Sequence, residues 1–187
     1  PSTTQAECPH FDAEAEKALM LACAQAGKAV VGVCLGAQLM GEAFGAACIA
    51  SPEKEIGQYP ITLTPEGRAN GKFAHFGDTL EVGHWHNDMP GLTDTAVVVA
   101  ASEGCPRQIV EYGRLVYGFQ CHMEFTRSVV ELLIAAAGDE FEALKARRFV
   151  QQPAQLRAND YDAMNHALYG FLDGLIEDYR VSLRSAA

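Results

Sequence analysis

The stretch Val30-Val31-Gly32-Val33-Cys34-Leu35-Gly36-Ala37-Gln38 constrains this chain more than any other. A β-branched run, a cysteine set between two glycines and then helix formers describe a strand that turns sharply into a helix, with the cysteine at the turn. Gly32 and Gly36 are expected to leave room for the strained backbone there. Cys34 then stands at a helix N-terminus. The positive end of the helix favours thiolate over thiol, and the N–H of Leu35 points at any oxygen that gains charge. The same pattern also describes a buried structural cysteine beside a packed glycine, so the rest of the chain decides between them.

The flanking segments alternate between helix and strand. Asp12 is an N-cap for a helix stopped at Gly27, with Ala15, Ala18, Leu19, Ala22 and Ala26 at helical spacing along one face. Residues 29–33 form a continuous apolar strand, the kind covered on both faces of a sheet. The helix after Cys34 ends near Gly45. Strands are expected at 61–64, 79–86 and 96–101, with a turn at Pro65-Glu66-Gly67. Segments 108–112 and 115–122 flank Gly113-Arg114, which predicts a type II′ hairpin. A helix over 128–137 stops at Gly138. Beyond it Phe141, Leu144, Phe149, Met164, Leu168, Phe171, Leu172 and Leu175 mark helices that pack on the sheet, interrupted at Pro153. This predicts one α/β domain over residues 1–187, with a core at about 10–137 and helices at 138–187. Its sheet is expected to be open and mostly parallel, with flanking helices.

Composition narrows the partners. The 187 residues are 49% hydrophobic, enough for a sizeable core. Fourteen basic against 24 acidic residues give a net charge of −10, which repels nucleic acid and anionic membranes. The six cysteines are scattered without a C-x-x-C pair, which predicts free thiols and a cytoplasmic location. No apolar run reaches the ~20 residues that span a bilayer.

A cysteine nucleophile needs a base, and the base an orienter. Gly118-Phe119-Gln120-Cys121-His122-Met123-Glu124 offers both. At a strand end His122 and Glu124 share a face, so the carboxylate can hold one imidazole nitrogen and leave the other for Cys34. Cys121 then points away as buried filler. His84 and His86, with Asp88 close by, also read as metal ligands, although no further cluster has metal spacing. Trp85 is expected in the core or a pocket wall, His166 on a helix surface, and Glu14 and Glu16 on a solvated face.

Together these segments resemble the class I glutamine amidotransferases, which pair a G-x-C-x-G-x-Q turn with a later G-x-Q-x-H-P-E strand end. The matches are Gly32, Cys34, Gly36 and Gln38, then Gly118, Gln120, His122 and Glu124. Glu55-Ile56-Gly57 to Leu63-Thr64 and His84-Trp85-His86-Asn87-Asp88 are similar to segments of stand-alone members related to the glutaminase half of GMP synthetase. The likeness covers roughly residues 10–137. It implies a flavodoxin-like fold and hydrolysis of glutamine to glutamate and ammonia through a γ-glutamyl thioester on Cys34. In that scheme His122 moves the proton and Glu124 holds His122. Leu35 supplies an oxyanion donor, Gln38 contacts glutamine, and His86, Asn87 and Asp88 line its pocket. A synthase partner that receives ammonia is also implied, with no cofactor and no metal ion. Two further readings remain open: a γ-glutamyl peptide or amide hydrolase with the same triad, and a non-catalytic module retaining the fold.

Three departures stand out. Met123 replaces a proline, and Asn87 replaces a glycine, which predicts a positive φ at Asn87. The family's opening strands and Gly-Gly-Pro loop, source of a second oxyanion donor, have no counterpart. Pro1-Ser2 reads as the tail of that loop.

Overall fold

The computed structural model describes residues 10–185, so Pro1-Ser2 lies outside the described residues. Helix α1 (Ala13–Gln25) starts where the Asp12 carboxylate accepts a hydrogen bond from the Ala15 N–H at 3.0 Å, and Gly27 follows its end. The predicted apolar stripe does not settle which face is covered. Leu19 is 60% exposed, while Met20 and Ala24 pack inward, because an alanine-rich helix carries little contrast between faces.

Strand β1 (Val30–Val33) leads into helix α2 (Leu35–Ala43) through Cys34. Strand β2 (Ile49–Leu63) is much longer than the expected 61–64. Pro52, Pro60 and the charged run between them hide it in the sequence. A register shift between Ala50 and Glu55 accommodates Pro52, and β2 pairs with its second neighbour only at Thr62 and Leu63, leaving Pro60 on a free side. The expected turn at 65–67 is instead helix α3 (Pro65–Ala69), with Thr64 as its cap and proline in its first turn. A 3-10 helix over Gly71–Phe76 follows. Strands β3 (Thr79–Met89), β4 (Val97–Ala101), β5 (Ile109–Gly113) and β6 (Val116–Phe119) complete the sheet.

The strand order is β1-β6-β5-β4-β2-β3, and the sheet is mixed rather than mostly parallel. Only β1 and β6 run parallel; every other pair is antiparallel. Connection length explains part of the difference, since the links β4–β5 and β5–β6 are too short for a parallel crossover. Strand β1 is therefore not an interior strand of the described sheet but its border, with three of its four residues half-buried. The β5–β6 hairpin forms as expected, but not through a type II′ turn. Gly113 pairs with Val116, which leaves Arg114 and Leu115 as the loop, and none of these residues has a positive φ. A register irregularity between Glu111 and Gly113 takes up the twist.

Helices flank both faces. On one, Met40 of α2 joins Val110, Tyr112 and Val116. The other face holds the larger core, closed by helix α4 (Arg127–Ala137), α5 (Glu140–Leu144), α6 (Pro153–Ala158) and α7 (Asp162–Ser185). Pro153 does not only interrupt; it begins α6. Phe171 of α7 lies fully buried, its ring 4.9–5.1 Å from those of Phe73, Tyr117 and Phe119. Cys23, Cys34, Cys105 and Cys121 are free thiols. No described helix is long and apolar enough to cross a membrane.

Candidate active site

Cys34 has φ 51° and ψ −107°, the one positive φ among described non-glycine residues. The strain is held by backbone bonds on both sides. Its N–H donates to Phe119 O at 2.7 Å, and its carbonyl accepts from Ala37 and Gln38 at 3.0 and 3.1 Å. Gly32 is needed here, since a Cβ on it would lie 2.4 Å from Gly36 O. Gly36 is not: a Cβ there would meet nothing within 4 Å, which corrects the expectation that both glycines make room.

His122 reaches Cys34 from beyond the end of β6, not from a strand. Its N–H donates to Gly83 O at 2.7 Å, which docks this irregular segment on β3. Even so, His122 Nδ1 and Glu124 Oε1 lie 2.6 Å apart, leaving the other ring nitrogen for the thiol. Phe125 stacks on the imidazole at 4.3 Å between ring centres. Gly83 permits this approach, because a Cβ there would sit 2.7 Å from both His122 O and the Phe125 ring. Neither Gly83 nor Phe125 carries a signal in the sequence.

Electrostatics favour a charged pair. Burial pushes the Cys34 thiol up, but the hydrogen bond and charge of His122, with the Leu35 N–H, bring it below its ordinary value. For His122 burial works downward, yet its bonds to Cys34 and Glu124 prevail and hold it at about 9. The two shifts run in the direction of one thiolate–imidazolium pair.

Gln38 is turned to Gln120 rather than to open space. Its Nε2 donates to Gln120 Oε1 at 3.1 Å, and Gln120 Nε2 in turn points at the Cys34 sulfur at 3.6 Å. His86 is buried in β3, while Asn87 and Asp88 continue the strand, so Asn87 has no positive φ. Beside Cys34 and His122 lies a cavity of about 250 Å³ walled by Val33, Leu35, Trp85, Phe125 and Leu133. Trp85 is thus a pocket wall, as expected. Cys121 is fully buried, and burial lifts its thiol well above the ordinary range. His166 lies exposed on α7, its Nδ1 2.7 Å from Asp162 O. Glu14 and Glu16 are exposed on α1.

A second group of the same residue types lies elsewhere. Glu55, His86 and Cys105 are buried with their ligand atoms within 4.8 Å of one another, a set with the composition of a triad and the donors to hold a small cation. The Glu55 carboxylate accepts from Ser102 Oγ at 2.8 Å and Gln108 Nε2 at 2.6 Å, and lies 3.1 Å from His86 Nε2. Cys105 is fully buried, and burial raises its thiol to about 11. Such a thiol is a poor nucleophile. Sequence spacing does not reveal this group, because its members come from β2, β3 and the link after β4.

Residues 7–138 match the family model of class-I glutamine amidotransferases, and the chain belongs to that family. YfeJ of Salmonella typhimurium, named for its likeness to glutamine amidotransferases, is 57% identical over 94% of this chain and 73% of its own length. A solved glutamine amidotransferase from Thermotoga maritima is 27% identical with TM-score 0.76, over 95% of this chain and 72% of that one. A more distant relative is the glutamine-hydrolysing GMP synthase of Edwardsiella ictaluri, 32% identical over 56% of this chain and 21% of its length.

Proposed function

We propose that this chain hydrolyses the side-chain amide of glutamine, with Cys34 as nucleophile, His122 as acid and base, and Glu124 as the group that orients His122. The observation that carries this reading is Cys34 on its strained turn, facing the same cavity as His122, whose Nδ1 lies 2.6 Å from Glu124 Oε1. The thiolate adds to the γ-carbonyl carbon. His122 gives its proton to the nitrogen, the C–N bond breaks and ammonia leaves. Water then loses a proton to His122 and attacks the γ-glutamyl thioester, releasing glutamate and the thiolate. The Leu35 N–H, already directed at Cys34, supplies an oxyanion donor. His86, Asn87 and Asp88 line the side on which the glutamyl half binds, and Gln38 acts there through Gln120. A synthase partner takes up the ammonia.

The test is mass spectrometry after exposure to 6-diazo-5-oxonorleucine, an electrophilic glutamine analogue. A single adduct on Cys34, slowed in His122→Ala and absent in Cys34→Ala, is expected. Labelling of Cys105 would move the chemistry to the buried Glu55–His86–Cys105 group and overturn the assignment. No adduct together with no glutamine hydrolysis would leave a non-catalytic module.

A further inference from the structure

Away from the cavity it shares with His122, the Cys34 sulfur meets a second polar side chain. Gln120 Nε2 donates toward it at 3.6 Å, from a residue that is wholly buried and takes no part in the proton transfers proposed above. An amide carries a donor at one end and an acceptor at the other, so its effect on a sulfur depends on which end faces it. Gln38 settles this: its Nε2 donates to Gln120 Oε1 at 3.1 Å, which leaves the N–H end for Cys34. The reverse orientation would set an oxygen against a thiolate. Gln120 is anchored through its backbone as well, its N–H donating to Gln108 O at 2.8 Å. Trp85 O, 4.0 Å from the sulfur, is an acceptor and favours the neutral thiol, so the Gln120 amide opposes it. The arrangement carries a stability cost, because Gln38 Oε1 is buried without a hydrogen-bond partner. Two glutamines are thus held in a costly geometry that fixes one N–H on the sulfur.

Resting on the Cys34 reading, we propose that Gln120 is a further catalytic residue, whose amide N–H holds the Cys34 sulfur as a thiolate, with Gln38 as the residue that positions it. The bond acts twice. Before the attack it keeps the sulfur charged, and it weakens as the sulfur's electron pair forms the bond to the γ-carbonyl carbon. When water gives its proton to His122 and adds to the γ-glutamyl thioester, the C–S bond breaks and its electron pair returns to sulfur. Gln120 meets that charge as it forms, at the step in which His122 is occupied with the proton from water. A donor to a charged acceptor in a buried site is stronger than one between neutral groups. Its loss therefore falls on kcat more than on KM.

The experiment follows alkylation of Cys34 by iodoacetamide against pH in the wild-type protein and in Gln120→Met, which keeps the volume and removes the donor. The Cys34 peptide is quantified by mass spectrometry, and kcat and KM for glutamine are measured on the same samples. In Gln120→Met the midpoint is expected to rise by about one pH unit, with kcat down about tenfold and KM changed less. A glutamine pair that served only the core would leave the midpoint where it is. An unmoved midpoint in the folded variant, with wild-type Cys34 still labelled by 6-diazo-5-oxonorleucine, would overturn the role of Gln120 and leave the triad standing. No labelling of wild-type Cys34 and no glutamine hydrolysis would overturn the triad reading and this one with it. Where the variant does not fold, the wild-type chain carrying 15N-labelled glutamine decides. One side-chain amide is expected to shift as Cys34 ionises and to lose that titration in Cys34→Ser, and no glutamine amide following Cys34 would overturn the proposal.

Discussion

At the scale of single residues, Cys34 and Glu124 hold the His122 imidazolium, and this sets a pH dependence. Above about pH 9 the imidazolium loses the proton that the leaving nitrogen needs, so kcat/KM falls on its basic side there. Glu124 is one of the groups that raise His122, so Glu124→Gln is expected to move that basic limb down by about one pH unit. A pH profile of kcat/KM for both proteins checks this, and an unmoved limb would remove Glu124 from the orienting role. Cys34, His122 and Glu124 were legible as candidates because a strand-to-helix turn and a two-residue offset are local patterns. Gln38 was not legible in the same way. Whether its amide faces a ligand or Gln120 depends on a residue far along the chain, and no local pattern states it.

At the scale of elements, the site is a meeting of β1, β3 and the segment after β6. Gly83 of β3 is the narrowest point of that meeting. Gly83→Ala forces apart the His122 carbonyl and the Phe125 ring, at a cost of about 1–3 kcal/mol in stability. Activity should fall further than stability alone accounts for, because the imidazole moves with its backbone. Urea unfolding and kcat on the same sample measure both, and full activity in a folded variant would show that His122 is not positioned from β3. Helix and strand identities were mostly legible from periodicity. The long β2 was not, because its prolines and charges break the alternation and its stability comes from pairing with β3.

At the scale of the whole molecule, acid sensitivity is built into the group at Glu55. His84 is wholly buried beside that carboxylate, and burial holds it down at about 4. Unfolded, it takes up a proton near 6.5, so between pH 6.5 and 4 the unfolded chain binds more protons and stability falls as pH falls. Glu55 works in the same direction at lower pH. Burial pushes its carboxyl up, but His86 and His84 more than reverse this, so its stabilising share is lost as it is protonated. The His84 share is about 3 kcal/mol by pH 4. Thermal unfolding at pH 7 and pH 4.5 is expected to show a clear drop in Tm that is smaller in His84→Gln, and an equal drop in both would refute it. The sheet's mixed direction belongs to this scale too. It follows from how far apart paired strands lie in the chain, which the alternation of elements does not encode.

The elbow cysteine lies early in the chain and its partner histidine late, with five strands between them. Since the lowered thiol depends on His122, Cys34 in a nascent or unfolded chain behaves as an ordinary, sluggish thiol. Its reactivity toward alkylating reagents is therefore a report on completed folding. The molecule is chemically silent until its two distant segments have met, which spares the growing chain from oxidation and stray acylation.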